Sequence, residues 1–177
     1  MFNRLYEKCR TNIFRAIEII SSSVLNGKKV IWCGNGGSAA DAQHMAAELM
    51  GGLVSHSRRP IPSIALTTDS SFITAWSNDT DYSTIFSRQI EGLGMPEDVL
   101  VAISTSGNSK NVIKAIEMAK LKLLKVVVLS GNSGGKMKGR GDVEICIPST
   151  NTQRIQEGHL FVEHLICECI EKTILNE

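Results

Sequence analysis

The sequence predicts an α/β fold, a three-layer sandwich whose five-stranded parallel sheet carries helices on both faces. Three observations predict it. Short apolar runs rich in β-branched residues alternate with segments of helical period. Two junctions, at 31–48 and 98–121, repeat one design of strand, small polar glycine turn and helix. The chain also opens and closes with long, strongly apolar helical patterns that need a sheet or a partner to cover them. At 177 residues, the stretch 1–177 suits one domain with a full core, led by a helix over about 3–26.

In the leading helix, Leu5, Cys9, Ile13, Ala16, Ile17, Ile20 and Val24 recur near a spacing of 3.6, and Gly27 closes the pattern. Residues 29–33 form the first strand. Gly34, Gly36 and Gly37 then admit backbone angles that a side chain forbids. Ser38 is the expected cap of a helix over 39–49, which is rich in alanine. A loop over 51–62 holds His56, Arg58 and Arg59, and such arginines either meet an anionic ligand or, more often, stand solvated.

Residues 63–67 read as the second strand, 70–77 as a short helix and 78–81 as a turn cluster. A helix over 84–93 is stopped by Gly94 and Pro96. The buried third strand, 98–104, runs into a polar turn and a helix over 110–121. The fourth strand covers 125–130 and the fifth 142–147, joined by a glycine-rich connection with a short turn at Gly135. The last helix, 153–176, is apolar on more than one face, which fits packing between the sheet and a partner subunit.

A net charge of +1, with 42% hydrophobic and 21% charged residues, gives no electrostatic case for nucleic acid or an anionic membrane surface. No apolar run approaches the length of a bilayer span, and the first residues lack the charged start and apolar stretch of a secretory signal. Five cysteines, an odd number without paired zinc-ribbon spacing, read as buried free thiols in a reducing cytoplasm. The expectation is therefore a cytoplasmic protein without nucleic-acid or membrane partners.

In parallel sheets ligands bind beyond the carboxyl ends of the strands, where 34–38, 67–69 and 104–109 all fall. One shared cleft is expected. The glycine turn presents bare N–H groups of a helix start to an anion, although it also reads as a plain tight turn. Its match to a dinucleotide fingerprint over 34–39 is formal, and no Gly-Lys-Ser/Thr follows to make a nucleoside-triphosphate loop. Ser104, Thr105, Ser106 and Ser109 gather hydroxyls at a second helix start, a phosphate site that needs no lysine. His44 and Glu48, four apart, share a helix face. Gln156, His159, Glu163 and His164 interrupt the apolar last helix, with Gln156 and His164 about two turns apart on one side. Pattern alone leads to a phosphate-binding α/β domain of unassigned chemistry.

Four motifs in order go further: Cys33-Gly-Asn-Gly-Gly-Ser-Ala-Ala-Asp-Ala-Gln-His-Met-Ala-Ala-Glu, Ile64-Ala-Leu-Thr-Thr-Asp, Ile103-Ser-Thr-Ser-Gly-Asn-Ser and Arg154-Ile-Gln-Glu-Gly-His. Together they resemble the phosphoheptose isomerase family of the sugar isomerase (SIS) domain superfamily, from about Lys28 to the end of the chain. The resemblance implies the SIS fold, a homotetramer with active sites between subunits, and isomerisation of sedoheptulose 7-phosphate to D-glycero-D-manno-heptose 7-phosphate, the first step of activated heptose synthesis. It implies that Asn35, Gly36, Gly37, Glu48, Asn78, Asp79, Ser104, Thr105, Ser106, Ser109 and Gln156 contact the sugar phosphate. It also implies one zinc ion on His44, Glu48, Gln156 and His164, with Glu48 and His164 as the acid/base pair. The chain departs from the family at Gly52, where an arginine is usual, and at Thr152-Gln153; Arg58 or Arg59 is the candidate replacement for that arginine.

Two rivals belong to other classes. A related non-catalytic SIS branch binds the replication initiator protein, but it lacks the equivalents of Glu48 and His164 and carries arginine at Ser106. A dinucleotide-dependent enzyme would need an acidic residue about 20 positions beyond the glycine turn, and Asp69 lies too far along.

Overall fold

The strands β1 (Val30–Cys33), β2 (Ser63–Ala65), β3 (Val99–Ser104), β4 (Lys125–Gly131) and β5 (Val143–Ile147) pair into one sheet in the order β2-β1-β3-β4-β5. Every pairing is parallel. The computed structural model describes residues 2–175, so Met1, Glu177 and the expected helical position Asn176 lie outside the described residues. The helices are α1 (Phe2–Leu25), α2 (Gly37–Gly51), α3 (Ser70–Asp79), α4 (Ile85–Leu93), α5 (Lys110–Leu121) and α6 (Thr152–Leu175), with 3-10 turns at Tyr82–Thr84 and Gly135–Met137.

The central strands are apolar on both faces because both faces are covered. Val30, Trp32, Val99, Val101, Val127 and Val143 point into one core with residues of α1, α2 and α6. Ile31, Cys33, Leu100, Ala102, Val126 and Val128 point into the other with residues of α4 and α5, against which Phe72, Ile73 and Trp76 of α3 pack. The three-layer expectation is met.

Gly27, at φ +73°, ends α1 as expected. Its N–H donates to Val24 O, and the N–H of Lys28 reaches back to Ser23 O. The expected cap of α2 is corrected. Gly36, at φ 57°, is the N-cap, no side chain caps the helix, and Ser38 is buried inside the first turn. Glycine reverses the chain two residues earlier than a serine could. β2 is shorter than expected, although Leu66 N still donates to Trp32 O. Asn78 and Asp79 belong to the last turn of α3 rather than to a free turn: Asp69 caps the start of that helix through Phe72 N–H, and the N–H and hydroxyl of Thr80 close its end on Trp76 O. The five thiols are free: Cys9, Cys33 and Cys167 are buried, Cys146 and Cys169 partly so.

His159 is the core histidine of α6. It is fully buried, and one ring nitrogen, Nε2, lies 3.1 Å from Ser130 O. A carbonyl only accepts, so Nε2 carries the hydrogen. Burial pushes its pKa down to about 4, against a smaller opposing effect of that bond. The unfolded chain takes up a proton near pH 6.5 that the folded chain refuses, so stability is complete above that pH and is lost as pH falls towards 4. The expected loss is on the order of 3 kcal/mol. Urea unfolding midpoints between pH 7 and 4 should show it, and His159→Gln should flatten that part of the profile.

Candidate active site

The sheet reverses its winding between β1 and β3, since the chain goes outward to β2 and then returns to the other side of β1. Ligand crevices form at such switch points, beyond the strand ends. The glycine turn after β1 and the hydroxyl loop after β3 flank this one.

Gly37 is needed for close approach rather than for an unusual angle. A Cβ there would sit 2.1 Å from Gln156 Nε2, so the carboxamide of α6 lies directly over the turn. On the second loop, Ser104 Oγ and Ser109 Oγ stand 2.9 Å apart, and Ser106 Oγ accepts from Asn108 N–H. Gly107, at φ +65°, allows the loop to press on the Gly134–Gly135 turn, where a Cβ would meet Gly134 O at 2.0 Å. Neither N-cap residue, Gly36 of α2 nor Ser109 of α5, caps its helix with a side chain, and in α5 the one first-turn N–H with a side-chain acceptor is that of Val112, on Asn111 Oδ1. Two uncapped starts beside a hydroxyl cluster suit a phosphate group.

The second centre lies where α2 crosses α6. His44 Nε2 is 3.0 Å from Glu48 Oε1, the expected pairing on one helix face. The His44 and His164 rings meet edge to face with centroids 4.9 Å apart. Helices separated by over a hundred residues thus bring an imidazole–carboxylate pair and a second imidazole together. His164 Nδ1 lies 3.0 Å from Leu160 O, which sets that nitrogen as the donor and leaves Nε2 with its lone pair.

Behind this group lie carboxyls that the motif comparison did not single out. Burial raises the pKa of Asp41, opposed by His44 and then His164. Glu163 is fully buried, and burial, followed by Asp41, raises it to about 8, so it is protonated at neutral pH. Asp41 Oδ2 and both Glu163 oxygens have no hydrogen-bond partner. Asp41 was visible in the sequence as the residue one turn before His44, but nothing there showed that it faces α6.

The candidate residues therefore fall into groups. Asn35, Gly36, Gly37 and Gln156 surround the glycine turn, and Ser104, Thr105, Ser106 and Ser109 form the neighbouring loop. His44, Glu48 and His164 cluster two to three helical turns from Gly37, roughly 10–15 Å along the axis of α2. Asn78 and Asp79 are exposed at the end of α3 and bond to each other. Arg58 is neither solvated nor free for an anion. Its side chain is 2% exposed, its Nε lies 3.2 Å from Glu171 Oε2, and its Nη2 donates to Glu48 O. Gly52 adopts φ +113°, and a Cβ there would lie 2.4 Å from Ser55 O, so an arginine does not fit at this position as the loop is folded.

The imidazoles of His44 and His164 and the carboxylate of Glu48 are donors that zinc takes, whereas the carboxamide of Gln156 is an unusual zinc donor and lies over Gly37. Ligands on a tetrahedral zinc stand about 3.3 Å apart, close to the His44–Glu48 spacing of 3.0 Å. In the arrangement observed His44 and Glu48 bond to each other, and among the described residues no group of three or more His, Cys, Asp or Glu side chains converges on one ion position.

The SIS domain family matches residues 1–131, which defines the class. A phosphoheptose isomerase of Shewanella denitrificans is 52% identical over 166 residues, 92% of this chain and 84% of its own length. The structure of phosphoheptose isomerase from Neisseria gonorrhoeae superposes with a TM-score of 0.89 at 40% identity, covering 96% of this chain and 90% of that one. That of Francisella tularensis gives 0.88 at 39% identity, covering 92% and 86%. The chain belongs to the phosphoheptose isomerase family.

Proposed function

We propose that the protein interconverts sedoheptulose 7-phosphate and D-glycero-D-manno-heptose 7-phosphate, in the cytoplasm, as the first step towards activated heptose. The observation that carries this reading is the meeting of His44, Glu48 and His164 across two helices, on the same chain as a hydroxyl-lined anion loop. Moving a carbonyl from C2 to C1 needs a proton taken from C1 and returned at C2 through an enediol. Glu48 takes and returns that proton, while His164, through the lone pair on Nε2, takes a proton from O1 and passes it to O2. Ser104, Thr105, Ser106 and Ser109, with the N–H groups of α5, hold the phosphate. Asn35, Gly36, Gly37, Asn78, Asp79 and Gln156 hold the sugar chain.

His44, Glu48, Gln156 and His164 are proposed to hold one zinc ion. When bound, it would stabilise the negative charge of the enediolate. The test is an isomerase assay on sedoheptulose 7-phosphate with zinc supplied and then removed by a chelator. No turnover with metal present would overturn the reading.

The same proposal includes a homotetramer with sites between subunits. Tyr6, Phe14 and Phe161 are exposed along a groove of about 280 Å³ between α1 and α6, a surface that a second copy would cover. The distance from the glycine turn to the proton-transfer pair supports a site to which neighbouring subunits both contribute. Ser106→Arg should raise KM for the sugar phosphate by at least about tenfold, because the exposed loop position would fill with a long side chain that takes the place of the phosphate. An unchanged KM in steady-state kinetics would remove the phosphate assignment.

A further inference from the structure

Asn35 is held by a residue that the motif comparison does not assign. Its Nδ2 donates to Asn111 Oδ1 at 2.9 Å, and Asn111 Nδ2 donates back to Asn35 Oδ1 at 2.8 Å. Asn111 is 3% exposed in the first turn of α5. This cyclic pair joins the glycine turn after β1 to the helix that follows the hydroxyl loop. It therefore fixes the two walls of the crevice relative to each other.

The orientation of both amides follows from one obligatory donor. The backbone N–H of Val112 lies 3.0 Å from Asn111 Oδ1 and can only donate. Asn111 must then turn its NH2 group towards Asn35, and Asn35 must meet it with its oxygen. Tyr82, from the 3-10 turn after α3, brings its hydroxyl to the same Asn35 oxygen at 2.9 Å. Both lone pairs of Asn35 Oδ1 are thereby occupied, and one N–H of Nδ2 remains.

We propose that Asn111, assisted by Tyr82, is a positioning residue that presents Asn35 to the sugar phosphate as a hydrogen-bond donor only. The ligand must supply an oxygen lone pair at this point, as a phosphate or carbonyl oxygen does. The proposal rests on the reading of the crevice as a sugar-phosphate site.

Asn111→Asp keeps the size and the acceptor for Val112 N–H but sets a carboxylate oxygen against Asn35 Oδ1. KM for sedoheptulose 7-phosphate should rise about tenfold, with kcat within about threefold of the parent. Tyr82→Phe, at an exposed position, should give a smaller rise in the same direction. The discriminating measurement is a cycle of Asn35→Ala, Asn111→Asp and the double variant, with thermal midpoints recorded for each. If Asn111 acts through Asn35, the double variant has the KM of Asn35→Ala alone, whatever the midpoints do. Multiplied effects, or an unchanged KM in Asn111→Asp, would overturn the proposal. If the parent binds sedoheptulose 7-phosphate by calorimetry but does not turn it over, the isomerase reading fails and the same cycle is decided on Kd. Absence of binding by the parent overturns both.

Discussion

Glu48→Gln is expected to lower turnover of sedoheptulose 7-phosphate by about 10²- to 10⁴-fold, the contribution that a positioned acid or base makes. The substitution removes the proton acceptor and keeps the shape. Glu48 lies in the last turns of α2, half-buried, and its side chain bonds to His44. A glutamine can still meet that imidazole, so the unfolding free energy should stay within about 0.5 kcal/mol of the parent. A carboxylate held on zinc is a poorer base, because the ion favours the anion and lowers its pKa. Zinc content measured beside turnover separates the two duties. Lost turnover with retained zinc identifies Glu48 as the base, and parallel loss of both identifies it mainly as a ligand. Full activity would overturn the base assignment.

The layout of the fold was legible because its signals are local. The strands of an all-parallel sheet are apolar on both faces, and Val126, Val127 and Val128 in β4 read as buried for that reason. The strand ends then placed the two loops without knowledge of any contact. His44 and Glu48 were legible as a pair because four residues make one helical turn. Element boundaries were less legible. Ser38 looked like a cap because serine usually is one, yet Gly36 performed the reversal, and only the observed backbone angle separates the two.

Contacts across the chain left no local trace. Nothing in the run after Ser109 shows that Asn111 pairs with a residue 76 positions earlier. Nothing near Arg58 shows that its partner is Glu171. The resemblance supplied His164 as a site residue, whereas its pattern alone matched a core histidine. The structure gives that core role to His159, five residues earlier and fully buried. The difference is the face of α6 each occupies: His159 points to β4, and His164 points to α2.

Glu171→Ala is expected to destabilise the fold by about 3–5 kcal/mol, the cost of removing one partner of a buried ion pair. Glu171 is 1% exposed, and its carboxylate accepts the backbone N–H groups of Leu53, Val54 and Ser55 while facing Arg58. Burial alone would raise its pKa, but those three donors and the Arg58 hydrogen bond outweigh it and hold the carboxyl below its ordinary value. Stability from this group is therefore present above the unfolded carboxylate pKa near 4.5 and is lost as pH falls through the lower folded value. Alanine would strand the guanidinium and three N–H groups together. Arg58→Ala should cost less, because the carboxylate keeps its backbone donors. The consequence reaches the site, since Arg58 Nη2 and the N–H of Gly52 both hold the Glu48 carbonyl at the end of α2. Urea unfolding at pH 7 would rank the two variants, and kcat measured on the folded fraction should fall in both. A loss below about 1 kcal/mol in each, the size of an exposed pair, would show that the loop does not depend on this carboxylate.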